Sequence, residues 1–106
     1  MATPGSTMKI LLIRSWIHPL APLRAVLQAA GLDPRFTRVD IEPALNAALS
    51  RGGHDIAIHD PATPGLPRAA VEACMRAHRI DIPLVELVEI ENIAERIDVA
   101  LAARRS

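Results

Sequence analysis

The chain has little of what many functional readings would need. Among its 106 residues there is a single cysteine, Cys74, so no internal disulfide forms and nothing points to an oxidising compartment. Tyrosine is absent and Trp16 and Phe36 are the only aromatic residues, which leaves the core to leucine, isoleucine, valine and alanine. Basic and acidic residues balance at 12 each, so no bulk field draws phosphate backbones or anionic lipid. Neither nucleic acid nor membrane is an expected partner. The apolar run Ile10–Ile13 is far too short for a signal-peptide core or a membrane span, and the expected setting is the cytoplasm. No glycine-rich phosphate loop, Ser-His-Asp arrangement, internal repeat or low-complexity segment is present.

What is present describes one small folded domain. Half the residues are apolar and 23% are charged, a balance that excludes intrinsic disorder. Residues 1–7 (MATPGST) read as a disordered tail, and residues 8–106 as a single domain. Lys9–Ile13 has the continuous aliphatic character of a strand buried on both faces. Pro19–Ala30 places Leu20, Leu23, Leu27 and Ala30 on one helical face, with Gly31 as its stop. Arg35–Asp40 reads as a second strand, and Pro43 opens a second helix that Gly52-Gly53 breaks. Asp55–Asp60 is a third strand, followed by the turn-rich PATPGLP. Pro67–His78 is a helix whose apolar face carries Val71, Cys74 and Met75, so Cys74 is expected to be an inert core thiol. Ile82–Val88 reads as a fourth strand. Asn92–Arg104 closes the chain, with Asn92 and Glu95 spaced as a capping box and Ile93, Ile97 and Leu101 as its stripe. Strands alternating with helices in this way predict an α/β domain with a parallel sheet covered on both faces.

The segment His54–Asp60, followed by Pro61-Ala-Thr-Pro64-Gly65, resembles the third strand and following loop of receiver domains in bacterial two-component response regulators. Lys9–Ile13 and Arg79–Val85 are similar to that family's first strand and its approach to the fourth, so the resemblance spans nearly the whole chain. It implies a flavodoxin-like doubly wound sheet in the order 2-1-3-4, with Asp60 in the place of the phosphoacceptor. The family's acidic pair after the first strand, which holds magnesium, is here Arg14 and Ser15. Its Ser or Thr at the end of the fourth strand is Val88, and its lysine after a fifth strand has no counterpart, Lys9 being the only lysine. The chain ends 46 residues after Asp60, which reads as deletion of the family's fourth helix and fifth strand. Arg96-Ile97 and Leu101 followed by Arg104-Arg105 match the family's last helix. An alternative alignment makes residues 84–89 the fifth strand and puts Glu86 where the lysine belongs.

These departures imply a pseudo-receiver: not an enzyme, with no cofactor or metal, binding a protein such as a histidine kinase or a response regulator. Arg14 is expected to approach Asp60 at the carboxyl end of the sheet and hold it ionised. Without a fifth strand the fourth becomes an edge, so Leu84, Glu86 and Leu87, together with Trp16, are the candidate interaction residues for a homodimer or a partner. Two alternatives stay open. One is an atypical receiver phosphorylated on Asp60. The other is a small metal-dependent hydrolase using His54-Asp55 and His59-Asp60, although residues five apart in a strand point to opposite faces. His18 and His78 lack any partner at ligand spacing.

Overall fold

Ile10, Leu11, Leu12 and Ile13 are all fully buried because the strand that carries them has a neighbour on each side and helices over both faces. A computed structural model describes residues 6–105 of the chain. In chain order its elements are β1 (Ser6–Ile13), α1 (Ala21–Ala29), β2 (Leu32–Val39), α2 (Glu42–Arg51), β3 (Ile56–His59), α3 (Arg68–Ala77), β4 (Leu84–Glu86), a single 3₁₀ turn (Ile90–Asn92) and α4 (Ile93–Arg105). The four strands are parallel, as the alternation predicted, and ordered β2-β1-β3-β4, the flavodoxin-like arrangement that the resemblance implied.

Alternate residues of the central strands feed two aliphatic cores. Ile10, Leu12, Ile56 and Ile58 pack with Leu23 and Leu27 of α1 and Ile93 and Ile97 of α4. Leu11, Ile13 and Ala57 pack on the other face with Leu45, Ala48 and Leu49 of α2 and Val71, Cys74 and Met75 of α3.

The structure corrects several boundaries. β1 begins at Ser6, whose register partner is Leu32, so Ser6 and Thr7 belong to the sheet rather than to a tail; residues 1–5 of the expected tail lie outside the described residues. β2 starts at Leu32 and runs through Pro34. That is possible because the Arg14 N–H donates to the Val39 carbonyl, which turns the backbone of odd-numbered β2 residues toward β1 and leaves the missing N–H of Pro34 on the outer edge. Gly31, at φ 87°, turns the chain directly from α1 into this strand. β4 is shorter than Ile82–Val88, since Pro83 has no N–H to continue the ladder toward β3. Asn92 forms no capping box: its side chain donates to Glu89 Oε2 at 3.1 Å, and the extended cap of the preceding 3₁₀ turn is Glu89. Among the described residues no helix is long and apolar enough to cross a membrane.

Candidate functional site

The ladders place the ends of β1 and β3 side by side, with Ile13 in register with His59. Hydrogen bonding continues one residue past each strand, Asp60 N–H donating to the Ile13 carbonyl at 2.9 Å and Arg14 N–H to the Val39 carbonyl at 3.0 Å. Arg14 and Asp60 are thereby fixed at the topological switch point, where ligands bind in sheets of this kind. Arg14 Nε stands 3.1 Å from Asp60 Oδ2, and each residue retains only 8% of its exposure. The second carboxylate oxygen, Oδ1, accepts the Ala62 N–H at 2.8 Å. The guanidinium is less well served: Nε lies at contact distance but its hydrogen is not aimed at the carboxylate, and neither Nε nor Nη1 makes a hydrogen bond. The pair is held by charge rather than by directed bonds.

The segment 61–66 leaves Asp60 across the end of β1, where Thr63 Oγ1 lies 3.5 Å from the Ile13 carbonyl. Thr63 N–H donates to the Asp60 carbonyl and Leu66 N–H to the Thr63 carbonyl, both at 3.1 Å, so the chain folds back in two consecutive turns that bury Thr63 and Leu66.

Ser15 contributes its backbone to a second cluster. Arg38, near the end of β2, donates through Nη2 to the carbonyls of Ser15 and His18, the latter at 2.5 Å, while its guanidinium lies 5.0 Å from the Trp16 ring centroid. Burial, and then the nearby charge of Arg14, pull the pKa of Arg38 down against the opposing charge of Asp40. Trp16 itself is 65% exposed. Sequence reasoning passed over Arg38, whose only signal was a cation one residue from the end of an edge strand.

A third cluster was also missed. His59 is buried, its Nε2 lies 2.7 Å from the Leu66 carbonyl, and its Nδ1 meets Glu86 Oε1. Both ring nitrogens thus face oxygens, one of a side chain and one of the main chain. Arg68 of α3 donates to the other Glu86 oxygen at 2.8 Å. Burial pushes the Glu86 carboxyl pKa up, but the hydrogen bonds and charges of His59 and Arg68 outweigh it and hold the group below the ordinary carboxylate value.

The other expected site residues scatter. Val88 lies beyond β4 and is 63% exposed. Leu84 is half-buried, whereas Leu87 is 5% exposed and packs in the α1/α4 core; its selection as an interaction residue is corrected, because residue 87 faces inward where 88 faces solvent. His54 and Asp55 precede β3, with Asp55 Oδ2 accepting the Lys9 N–H at 2.8 Å, while His59 and Asp60 lie at its other end. The structure does not bring the two His-Asp pairs together, and no three metal-ligating side chains converge among the described residues. His78 meets Asn46 at 2.9 Å. Cys74 is buried, and burial together with Glu42 pushes its thiol pKa up.

No protein-family model matches the chain, and no curated protein is significantly similar to it.

Proposed function

We propose that the chain is a non-catalytic, receiver-like signalling module that acts by binding a protein partner in a two-component or phosphorelay pathway. The observation that carries this is the buried Arg14–Asp60 pair at the switch point. Phosphoryl transfer to a carboxylate needs an oxygen open to in-line approach and a divalent cation on the phosphoryl oxygens. Asp60 offers no such free oxygen: one accepts the Ala62 N–H and the other lies against Arg14. A guanidinium standing where receivers carry acids supplies permanent positive charge, so the site resembles a neutralised state that needs no metal or phosphate. Recognition then falls to surface features, of which Trp16, braced by Arg38, is a pre-organised aromatic anchor. A histidine kinase or another response regulator in the cytoplasm is the partner class this reading implies.

The test is a magnesium titration followed by Trp16 fluorescence, in the native chain and in the double variant Arg14→Asp/Ser15→Asp, with parallel labelling by a small-molecule phosphodonor. The native chain is expected to bind no magnesium and to form no acyl-phosphate, while the double variant gains measurable magnesium affinity. Saturable magnesium binding by the native chain, with labelling abolished in Asp60→Asn, would instead establish a phosphorylated receiver.

A further inference from the structure

The large apolar side chains left exposed among the described residues are Trp16, Ile17, Ile41, Val88 and Val99. The first four lie just past β1, β2 and β4, and because the strands are parallel those exits share one end of the sheet. Trp16 and Ile17 form the tip of a turn closed by the His18 N–H on the Ser15 carbonyl, and Arg38 holds that turn against the end of β2, three residues before Ile41. On the other flank Val88 leads into the 3₁₀ turn, which packs against α1, the helix that the Trp16 turn opens into. None of the four lines the cavities beside β4 or between α2 and α3, so this end of the molecule suits a broad contact rather than an enclosed small molecule.

The free charge at this end has one sign. Glu42, Glu89 and Glu91 are exposed and Asp40 is half-buried. The cations are already engaged: Arg14 is buried against Asp60, Arg38 is spent on main-chain carbonyls, and Arg68 is paired with Glu72 and Glu86. A net charge of zero over the whole chain therefore conceals an apolar face rimmed by acids.

We infer, building on the reading of the chain as a partner-binding module, that this face docks a segment of a partner protein in which apolar side chains are flanked by lysine or arginine. The apolar side chains of the segment cover Trp16, Ile17 and Ile41, and its cations meet the acidic rim. A second copy of the chain fits less well. Turned onto the same face it sets acids against acids, and the rest of its described surface offers Val99 alone as a large exposed apolar residue. An anionic bilayer or a nucleic acid is repelled by the same rim.

A peptide titration of the full chain tests this, read by the emission of Trp16, the only tryptophan. The probes are an amphipathic leucine-lysine peptide and its leucine-glutamate and serine-lysine counterparts, none with an aromatic residue. The leucine-lysine peptide is expected to bind and to shift Trp16 emission to the blue as the indole leaves water, and the other two to bind at least about tenfold more weakly. Ile17→Ser/Ile41→Ser and Glu42→Gln/Glu91→Gln, all at exposed positions, should each raise the dissociation constant at least about tenfold, while Val99→Ser on α4 leaves it unchanged. Circular dichroism checks that the variants fold. No binding at millimolar peptide, binding that leaves Trp16 emission unmoved, equal binding of the leucine-glutamate peptide, or indifference to either double variant would overturn the proposal. So would a blue shift produced by raising the chain concentration alone, which means self-association, or by phosphatidylcholine vesicles in place of peptide, which means lipid. Magnesium and phosphodonor labelling test the receiver-like reading separately, so either result can fail while the other stands.

Discussion

Gly65 and Asp40 meet across the end of β1: a Cβ placed on residue 65 would stand 2.7 Å from the Asp40 carbonyl oxygen. Because β2 and β3 flank β1, this contact joins the loop after one to the loop after the other across the end of the strand that leads into Arg14. Only a residue without a side chain lets the two backbones approach so closely.

Gly65→Ala is expected to force those loops apart, since the obstructing atom is backbone and cannot rotate away. Overpacking of this kind costs about 1–3 kcal/mol. Urea denaturation measures the loss, and hydrogen exchange at the Ala62 amide, which is bonded to Asp60, is expected to quicken. Stability within about 0.5 kcal/mol of the native chain, the range of an uneventful surface change, would show that the loops part freely.

The Arg14–Asp60 pair should respond asymmetrically to mutation. Arg14→Met leaves a buried carboxylate without its cation and is expected to cost about 3–5 kcal/mol. In Arg14→Met/Asp60→Asn the charge is gone while an oxygen remains for the Ala62 N–H, so the double variant should be less damaged than the sum of the singles. A double-mutant cycle with no coupling would mean that the two groups are neighbours without being partners.

Acid should loosen β4 through Glu86. Its pKa is held below the ordinary value of 4.5, so its contribution is fully present above that pH and disappears as pH falls through the depressed folded value. Glu86→Gln removes that dependence. Comparing denaturation midpoints of the two proteins from neutral pH down into the acid range checks this; parallel curves would exclude Glu86 as the source.

Neighbouring residues after β4 should behave in opposite ways. Leu87→Ala empties a buried position in the α1/α4 core and is expected to cost about 2–5 kcal/mol. Val88→Ala, at an exposed position, should stay within about 0.5 kcal/mol. Thermal unfolding of the two variants separates them.

Much of this fold was legible because strands buried on both faces write themselves as unbroken aliphatic runs. Lys9–Ile13 and Asp55–Asp60 predicted the central pair, and their shared end placed Arg14 near Asp60 before any distance was known. β2 was harder: Leu32 and Asp33 carry no alternation, and a proline inside a strand usually argues against one unless it sits on an outer edge. Periodicity alone could not separate Leu87 from Val88, because a chain leaving a sheet keeps its apolar character after the ladder has stopped. The contacts of Arg38 and the pairing of His59 with Glu86 escaped notice for another reason. Their partners are mostly main-chain carbonyls and a carboxylate contributed from 27 residues away, and no local pattern records such bonds.

The ladders holding the sheet together are unequal, with eight registered pairs between β1 and β2 and three between β3 and β4. Thermal fluctuations will find that difference. Amides of β4 and α4 should exchange with solvent through partial openings that leave β1 and β2 intact, making the stretch from β4 to α4 a separate unit of cooperativity. Each such opening bares Val85, Ile93 and Ile97 together, so the rate at which this stretch reseals, rather than global stability, sets how long a protease or an aggregating neighbour has to act.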